Sequence, residues 1–311
     1  MFEIVFLGTS ASAPSIDRGL SSSLVLYRDQ RFMCDCGEGT QRQLLRSGMG
    51  FRKLNKVLIT HGHLDHILGL GGLVSTFSRW ESMEALEVYG GEWALRRIDD
   101  LMKVVIRGGE VDMTVDLKPI RSGVIWQDKT MAISAFPVVH RGPGCFGYVF
   151  AEKAKRPFLV ERAEALGVPP GPCRRDLVNG QAITLGDGTV VEPDQVLGPA
   201  TSGLKVVHVG DTGRTDNLVD VCRDADALVI EATYTSYESD MAARFGHLTA
   251  ARAARLAVEA NVKQLFLVHL SRRYSARDIR REAEAIFPDT IVPRDLDHYR
   301  ITKTGAELVR E

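Results

Sequence analysis

VLITHGHLDHILGL, residues 57–70, places three histidines and an aspartate within six positions directly after an apolar run. A short apolar run bounded by polar residues reads as a buried strand. His61 and His63, two positions apart, would not share a helix face, but at a strand end they can converge on one ion. Asp65 and His66 follow where the next segment begins, a helix expected from Leu64 toward Trp80. Imidazole together with carboxylate suits zinc, with manganese as the alternative. One ion takes about four ligands, so this loop is short of ligands for two, and more must arrive from elsewhere.

Three candidates end apolar runs downstream: His140 closes AFPVVH, Asp211 follows LKVVHVG, and His269 closes QLFLVH. Polar groups at the ends of apolar strands line the active edge of an α/β sheet. A lone histidine at such a place is most simply a core or surface residue. The set is another matter, because five of the eight histidines (61, 63, 66, 140 and 269) lie at strand ends or just beyond.

The rest of the chain alternates strand and helix signals. FEIVFLG, SSLVLYR, LKVVHVG, DALVIEA and KQLFLVHL read as strands. GEWALRRIDDLMKVV, TAARAARLAVEANV and SARDIRREAEAIF read as helices, the second with Thr249 as N-cap. This predicts one α/β catalytic domain over residues 1–311. Residues 152–203 break the rhythm, with six of the 12 prolines. GVPPGP fits neither a helix interior nor a central strand. The segment reads as an inserted flexible arm, partly ordered.

The bulk numbers restrict the partners. With 311 residues, 44% hydrophobic and 25% charged, the composition is that of an ordinary globular protein. A net charge of −1 gives no global basic field, so any nucleic-acid contact must come from local patches. The five cysteines are odd in number and form no CxxC pair, which fits reduced thiols in a cytoplasmic protein. Cys34 and Cys36 are a weaker alternative zinc pair. FEIVFLGTSASA mimics a secretion signal, but Glu3 stands where a positive charge belongs. No run of about 20 apolar residues appears, so no membrane span is expected.

FLGTSASAPS, DCGEGTQRQL, THGHLDHILGL, GVPPGP, GDT, EAT, GHLTA and HLSRRY together resemble the metallo-β-lactamase superfamily and, within it, the ribonuclease Z family of tRNA 3′-processing endonucleases. The HxHxDH motif marks only the superfamily. The PPGP arm, GHLTA and SRRY narrow the resemblance to the tRNA branch. It implies a four-layer αβ/βα sandwich with an inserted tRNA-binding arm, acting as a homodimer on precursor tRNA. It also implies two zinc ions per subunit, one held by His61, His63 and His140, the other by Asp65, His66 and His269, with Asp211 bridging. Asp65 is expected to take part in catalysis as well, and His247 in GHLTA to assist the leaving group. Glu231 matches the family's buried acidic position and is expected to orient His247. Ser271 and Arg273, directly after His269, are expected to meet phosphate. Gly171 and Pro172 match the family's Gly-Pro exosite, with Lys153, Lys155, Arg156, Arg162, Arg174 and Arg175 nearby. Phosphate contacts of that kind position an RNA without reading its bases.

Departures from the family pattern are Gly19, Ile230, Leu248 and the glycine-rich LGGLVSTFSRW after the metal loop; none removes a ligand. His208 reads as a core or ligand-supporting histidine, and His298 receives no role. The alternative function is a small-molecule phosphodiesterase or arylsulfatase-like hydrolase on the same scaffold. The arm argues against it, because a small substrate needs no remote grip. A tRNA-binding protein with a dead site would be free to lose ligands, and the set is complete.

Overall fold

The apolar runs pair into two large sheets in a computed structural model that describes residues 1–80, 83–105 and 113–310. Among these residues the first sheet has eight strands, in the order Gly305–Arg310, His298–Thr302, Phe2–Gly8, Ser22–Tyr27, Gln30–Cys34, Lys56–Leu58, Ala85–Gly90 and Thr114–Pro119. Its last four strands run parallel. The second sheet has seven strands, in the order Thr290–Ile291, Leu265–Val268, Ala227–Glu231, Lys205–His208, Phe146–Glu152, Met131–Pro137 and Gly123–Gln127. Its first four are likewise parallel. Parallel strands are covered on both faces, which is why ALVIE at 227–231 is buried at every position.

Aromatic side chains stitch the sheets together. Phe2 lies 6.4 Å and Phe32 5.8 Å from the Phe150 ring, and Phe6 lies 5.3 Å from Phe266. Helices Thr40–Ser47, Gly69–Arg79 and Glu92–Val105 bury Leu44, Leu70, Phe77, Ile98 and Met102 against the outer face of the first sheet. Helices Ala250–Glu259 and Ala276–Glu284 cover the second with Ala253, Leu256 and Ile279. The layers are therefore αβ/βα. Thr249 caps its helix, its side chain accepting from the Arg252 amide at 3.3 Å.

The helix expected from Leu64 toward Trp80 is interrupted. A single turn, Leu64–Ile67, ends at Leu68, and a new helix starts at Gly69. The cause is a strand end docked into the break. The Cys36 amide donates to the His66 carbonyl at 2.8 Å, and the Gly69 amide donates to the Cys36 carbonyl at 2.9 Å. A Cβ on Gly69 would lie 2.0 Å from the Gly37 carbonyl oxygen, so only glycine allows this approach. The interruption fixes the backbone that carries Asp65 and His66.

The chain divides into two compact units. Residues 129–131 and 152–203 form the second, and the remainder forms the first. Within the second unit, helices Val160–Ala165, Pro172–Val178 and Pro193–Val196 pack with the hairpin Ile183–Thr184 and Val190–Val191. Ala163, Val168, Leu177, Val191 and Val196 form a core of its own. Pro172 occupies the first turn of its helix, where a missing N–H is harmless, with exposed Gly171 at the N-cap, φ 136°. Arg156 pairs with Asp194 and donates to the Gly198 carbonyl at 2.9 Å. Arg174 donates to the carbonyls of Val168 and Pro169. These two arginines brace the unit from within.

Candidate metal centre and active site

The parallel strands place their C-terminal ends along one edge, and the polar residues gather there. Thr60 and His61 follow Lys56–Leu58, Asp211 follows Lys205–His208, Glu231 ends Ala227–Glu231, and His269 follows Leu265–Val268. The antiparallel strand Met131–Pro137 delivers His140 to the same edge. Two groups of donors result. His61, His63, His140 and Asp211 form one, and Asp65, His66 and His269 the other. All seven expected ligands are in these groups. A further grouping joins Asp211, His247 and His269, but His247 Nδ1 is committed to Glu231 at 2.9 Å.

The donors fit metal ions. In the first group, His61 Nε2 lies 2.9 Å from His63 Nδ1, and His140 Nε2 lies 3.3 Å from the same atom. Asp211 Oδ2 is 3.6 Å from His61 Nε2 and 3.7 Å from His140 Nε2. Zinc–nitrogen bonds of about 2.0–2.1 Å put tetrahedral ligand atoms roughly 3.4 Å apart, the same spacing. In the second, Asp65 Oδ2 lies 3.4 Å from His269 Nε2 and 3.8 Å from His66 Nε2. Asp211 Oδ2 is also 3.5 Å from His66 Nε2, so one carboxylate oxygen faces both groups. His66 Nε2 is buried and makes no hydrogen bond. A buried nitrogen left that way is explained by an ion.

The protonation states of three imidazoles agree. Burial and mutual repulsion hold His61 well below the usual histidine range, push His63 down to about 4, and lower His140. Neutral imidazoles offer the lone pairs that a metal needs. His66 differs, because Asp211 and Asp35 outweigh its burial and raise it. Burial would raise Asp65 and Asp211, but the surrounding histidines hold both below the carboxylate range.

Four of the five candidate ligand rings are held from behind. His66 Nδ1 lies 2.8 Å from Asp35 Oδ2, and the Thr60 hydroxyl bridges Asp35 to His61 Nδ1 at 3.0 Å. His140 Nδ1 donates to the Gly246 carbonyl at 2.7 Å, and His269 Nδ1 meets the Thr233 hydroxyl at 3.0 Å. Such contacts fix ring orientation and tautomer. Asp35 and His269 both adopt positive φ, 58° and 56°. Non-glycine residues in this region mark sites where the surroundings impose the conformation.

Sequence reasoning assigned no role to Asp35, Thr60 or Thr233. Asp35 carried the same signal as Asp211, an aspartate just past an apolar strand. Glu231 is buried, accepting from the Thr212 amide at 2.8 Å and from the Thr233 hydroxyl. Burial alone would lower His247, but the Glu231 charge raises it to about 9. His208 is buried, pushed down to about 4 by that burial, and lies 3.1 Å from the Ser23 hydroxyl. His298 pairs with Glu3 at 2.8 Å. Among the described residues no candidate metal group contains a cysteine, and all five thiols are free.

An open cleft of about 900 Å³ reaches the donors. Its lining includes His63, Asp65, His140, His247, Ser271 and Arg273. Arg273 is tied down, its Nη1 donating to Glu238 Oε1 at 2.6 Å. Gly171 and Pro172 belong to the second unit.

Two facing mixed sheets with paired His/Asp groups at their strand ends define a metallo-β-lactamase-fold enzyme. A family model described as a beta-lactamase superfamily domain matches residues 182–270, and one for the anti-Pycsar protein Apyc1 matches residues 2–154. Ribonuclease Z of Bradyrhizobium diazoefficiens is 44% identical over 96% of this chain and 99% of its own length. Ribonuclease Z of Natronomonas pharaonis is 40% identical over 94% and 96%. The crystal structure of human tRNase Z, short form, superposes with a TM-score of 0.67 at 26% identity, covering 96% of this chain and 99% of that one. The chain belongs to the ribonuclease Z family.

Proposed function

We propose that this chain is a metal-dependent endoribonuclease that removes the 3′ trailer of precursor tRNA and leaves a 3′-hydroxyl on the tRNA. The observation that carries the reading is the complete pair of His/Asp groups opening on a cleft, in a chain 44% identical to a ribonuclease Z over nearly its whole length. The reading includes two zinc ions per subunit, with manganese as a substitute, because an imidazole-rich donor set suits zinc. It includes a homodimer, carried over from the family, and a cytoplasmic location, supported by five free thiols. Among the described residues no helix is long and apolar enough to cross a membrane.

When bound, divalent ions would activate water and neutralise charge on the scissile phosphate. The chain's own residues do the rest. Asp65, ionised and anchored by the Ser12 amide at 2.9 Å, belongs to the second donor group and would take a proton from the attacking water. His247 is cationic below about pH 9 and lines the cleft. Glu231 occupies its Nδ1, which leaves Nε2 to donate a proton to the departing ribose oxygen. Ser271 and Arg273 line the cleft and would meet the phosphate. Gly171, Pro172 and the exposed Arg162 and Arg175 of the second unit grip the body of the tRNA.

The test is cleavage of a 3′-extended precursor tRNA by the metal-loaded protein. Asp65→Ala should abolish it. Arg162→Glu with Arg175→Glu should raise KM for the RNA roughly tenfold or more. A protein that hydrolyses bis(p-nitrophenyl) phosphate but never cuts the RNA would instead be the small-molecule hydrolase.

A further inference from the structure

Arg97, Arg141, Arg272 and Arg273 line the cleft. They are not equivalent. Arg273 is neutralised by Glu238, whose other oxygen takes the Tyr274 hydroxyl. Arg97 donates to the Gly62 carbonyl at 2.7 Å and lies 5.6 Å from the Trp93 ring, bracing the loop between two ligands.

Arg141 is held without being neutralised. Its guanidinium carbon lies 5.9 Å from the centre of the Phe245 ring. Its stem runs along Gly246, where an added Cβ would meet Arg141 Cγ at 3.2 Å. Among the described residues no carboxylate pairs with it, and the side chain is exposed. An aromatic face orients a guanidinium while leaving its forked donors free for phosphate. Arg141 follows ligand His140 directly. The Gly246 it crosses accepts from His140 and precedes His247. An oriented, unpaired cation therefore stands beside the leaving-group acid.

We infer that Arg141, seated on Phe245, binds the backbone phosphate one nucleotide 5′ of the scissile bond. The inference deepens the endonuclease reading and rests on it. His247 protonates the oxygen that stays with the tRNA, so the nucleotide bearing that oxygen lies against His247. The next anion on that side is the same nucleotide's own 5′ phosphate. A fork fixed there would hold the departing oxygen in line with the acid.

The test pairs a protein change with a chemical change in the RNA. A precursor tRNA is made by ligation with a neutral methylphosphonate at that one phosphate. Arg141→Ala should lower kcat/KM on native RNA roughly 10- to 100-fold, the scale of a lost charge-assisted hydrogen bond. The methylphosphonate should cost the intact enzyme a similar factor, and Arg141→Ala should add little to it. Arg273→Ala should still multiply with the methylphosphonate. Arg141→Lys, which keeps charge but loses the fork, should recover only part. Metal content by mass spectrometry confirms that the exposed position leaves the centre intact. Native kcat/KM in Arg141→Ala, or losses that multiply across the two changes, would overturn the assignment. An intact enzyme that cuts no precursor tRNA would overturn the endonuclease reading itself.

Discussion

Asp35→Asn removes one charge from a buried carboxylate without changing its size. Asp35 Oδ1 accepts from the Thr60 amide at 2.8 Å, and Oδ2 accepts from His66 Nδ1 at 2.8 Å. The Thr60 hydroxyl, 2.9 Å from Oδ2, passes the contact on to His61. One side chain therefore supports a ligand in each donor group. An asparagine has a single oxygen, which the Thr60 amide would take. Its NH₂ then faces His66 Nδ1, and two donors cannot pair. His66 must move its proton to Nε2, the nitrogen that faces Asp65 and Asp211, or rotate away. A hydrogen bond to a charged group contributes about 1.5–3 kcal/mol, or about 10- to 150-fold in affinity. Residues behind metal ligands typically contribute about 10- to 100-fold, the same range. Competitive zinc titration against a chromophoric chelator resolves the stepwise constants. At least one should weaken by about that factor. Two unchanged constants would refute the reasoning.

Three further outcomes follow from the geometry. The Glu231 charge raises His247 to about 9, so the acid form is present below that pH and is lost above it. Activity on precursor tRNA should therefore fall above about pH 9, and Glu231→Gln should move that limb toward the ordinary histidine value near 6.5; an unmoved limb would contradict the assignment. Gly69→Ala puts a methyl 2.0 Å from the Gly37 carbonyl oxygen and should destabilise the fold by about 3 kcal/mol in urea unfolding; a change below about 1 kcal/mol would show that the backbone gives way freely. Leu177→Ala empties part of the small core of the second unit and should destabilise that unit by about 2–5 kcal/mol. Hydrogen exchange should then accelerate across residues 152–203 and stay unchanged in the two sheets.

The candidate metal ligands were legible because they obey a local rule. His61, His140, Asp211 and His269 each sit just past an apolar strand, and a strand end is visible in a sequence. Glu231 followed the same rule. What could not be read depends on contacts between distant segments. Asp35 supports His66 from 31 residues away, and Glu238 captures Arg273 from 35 away. The interruption at Leu68 exists because the Cys36–Gly37 backbone enters the helix, which no periodicity within residues 64–80 encodes. Arg141 escaped notice for a similar reason, since its distinction is the Phe245 ring 104 positions later.

Water, and not the RNA's own 2′-hydroxyl, is expected to attack the phosphate at the trailer junction. Cleaving a 3′-extended precursor tRNA in H₂¹⁸O and sequencing both products by mass spectrometry tests it. Attack by water puts one ¹⁸O in the 5′-phosphate of the trailer and leaves an unlabelled 3′-hydroxyl on the tRNA. A 2′,3′-cyclic phosphate on the tRNA, or a trailer beginning with a 5′-hydroxyl, would contradict it.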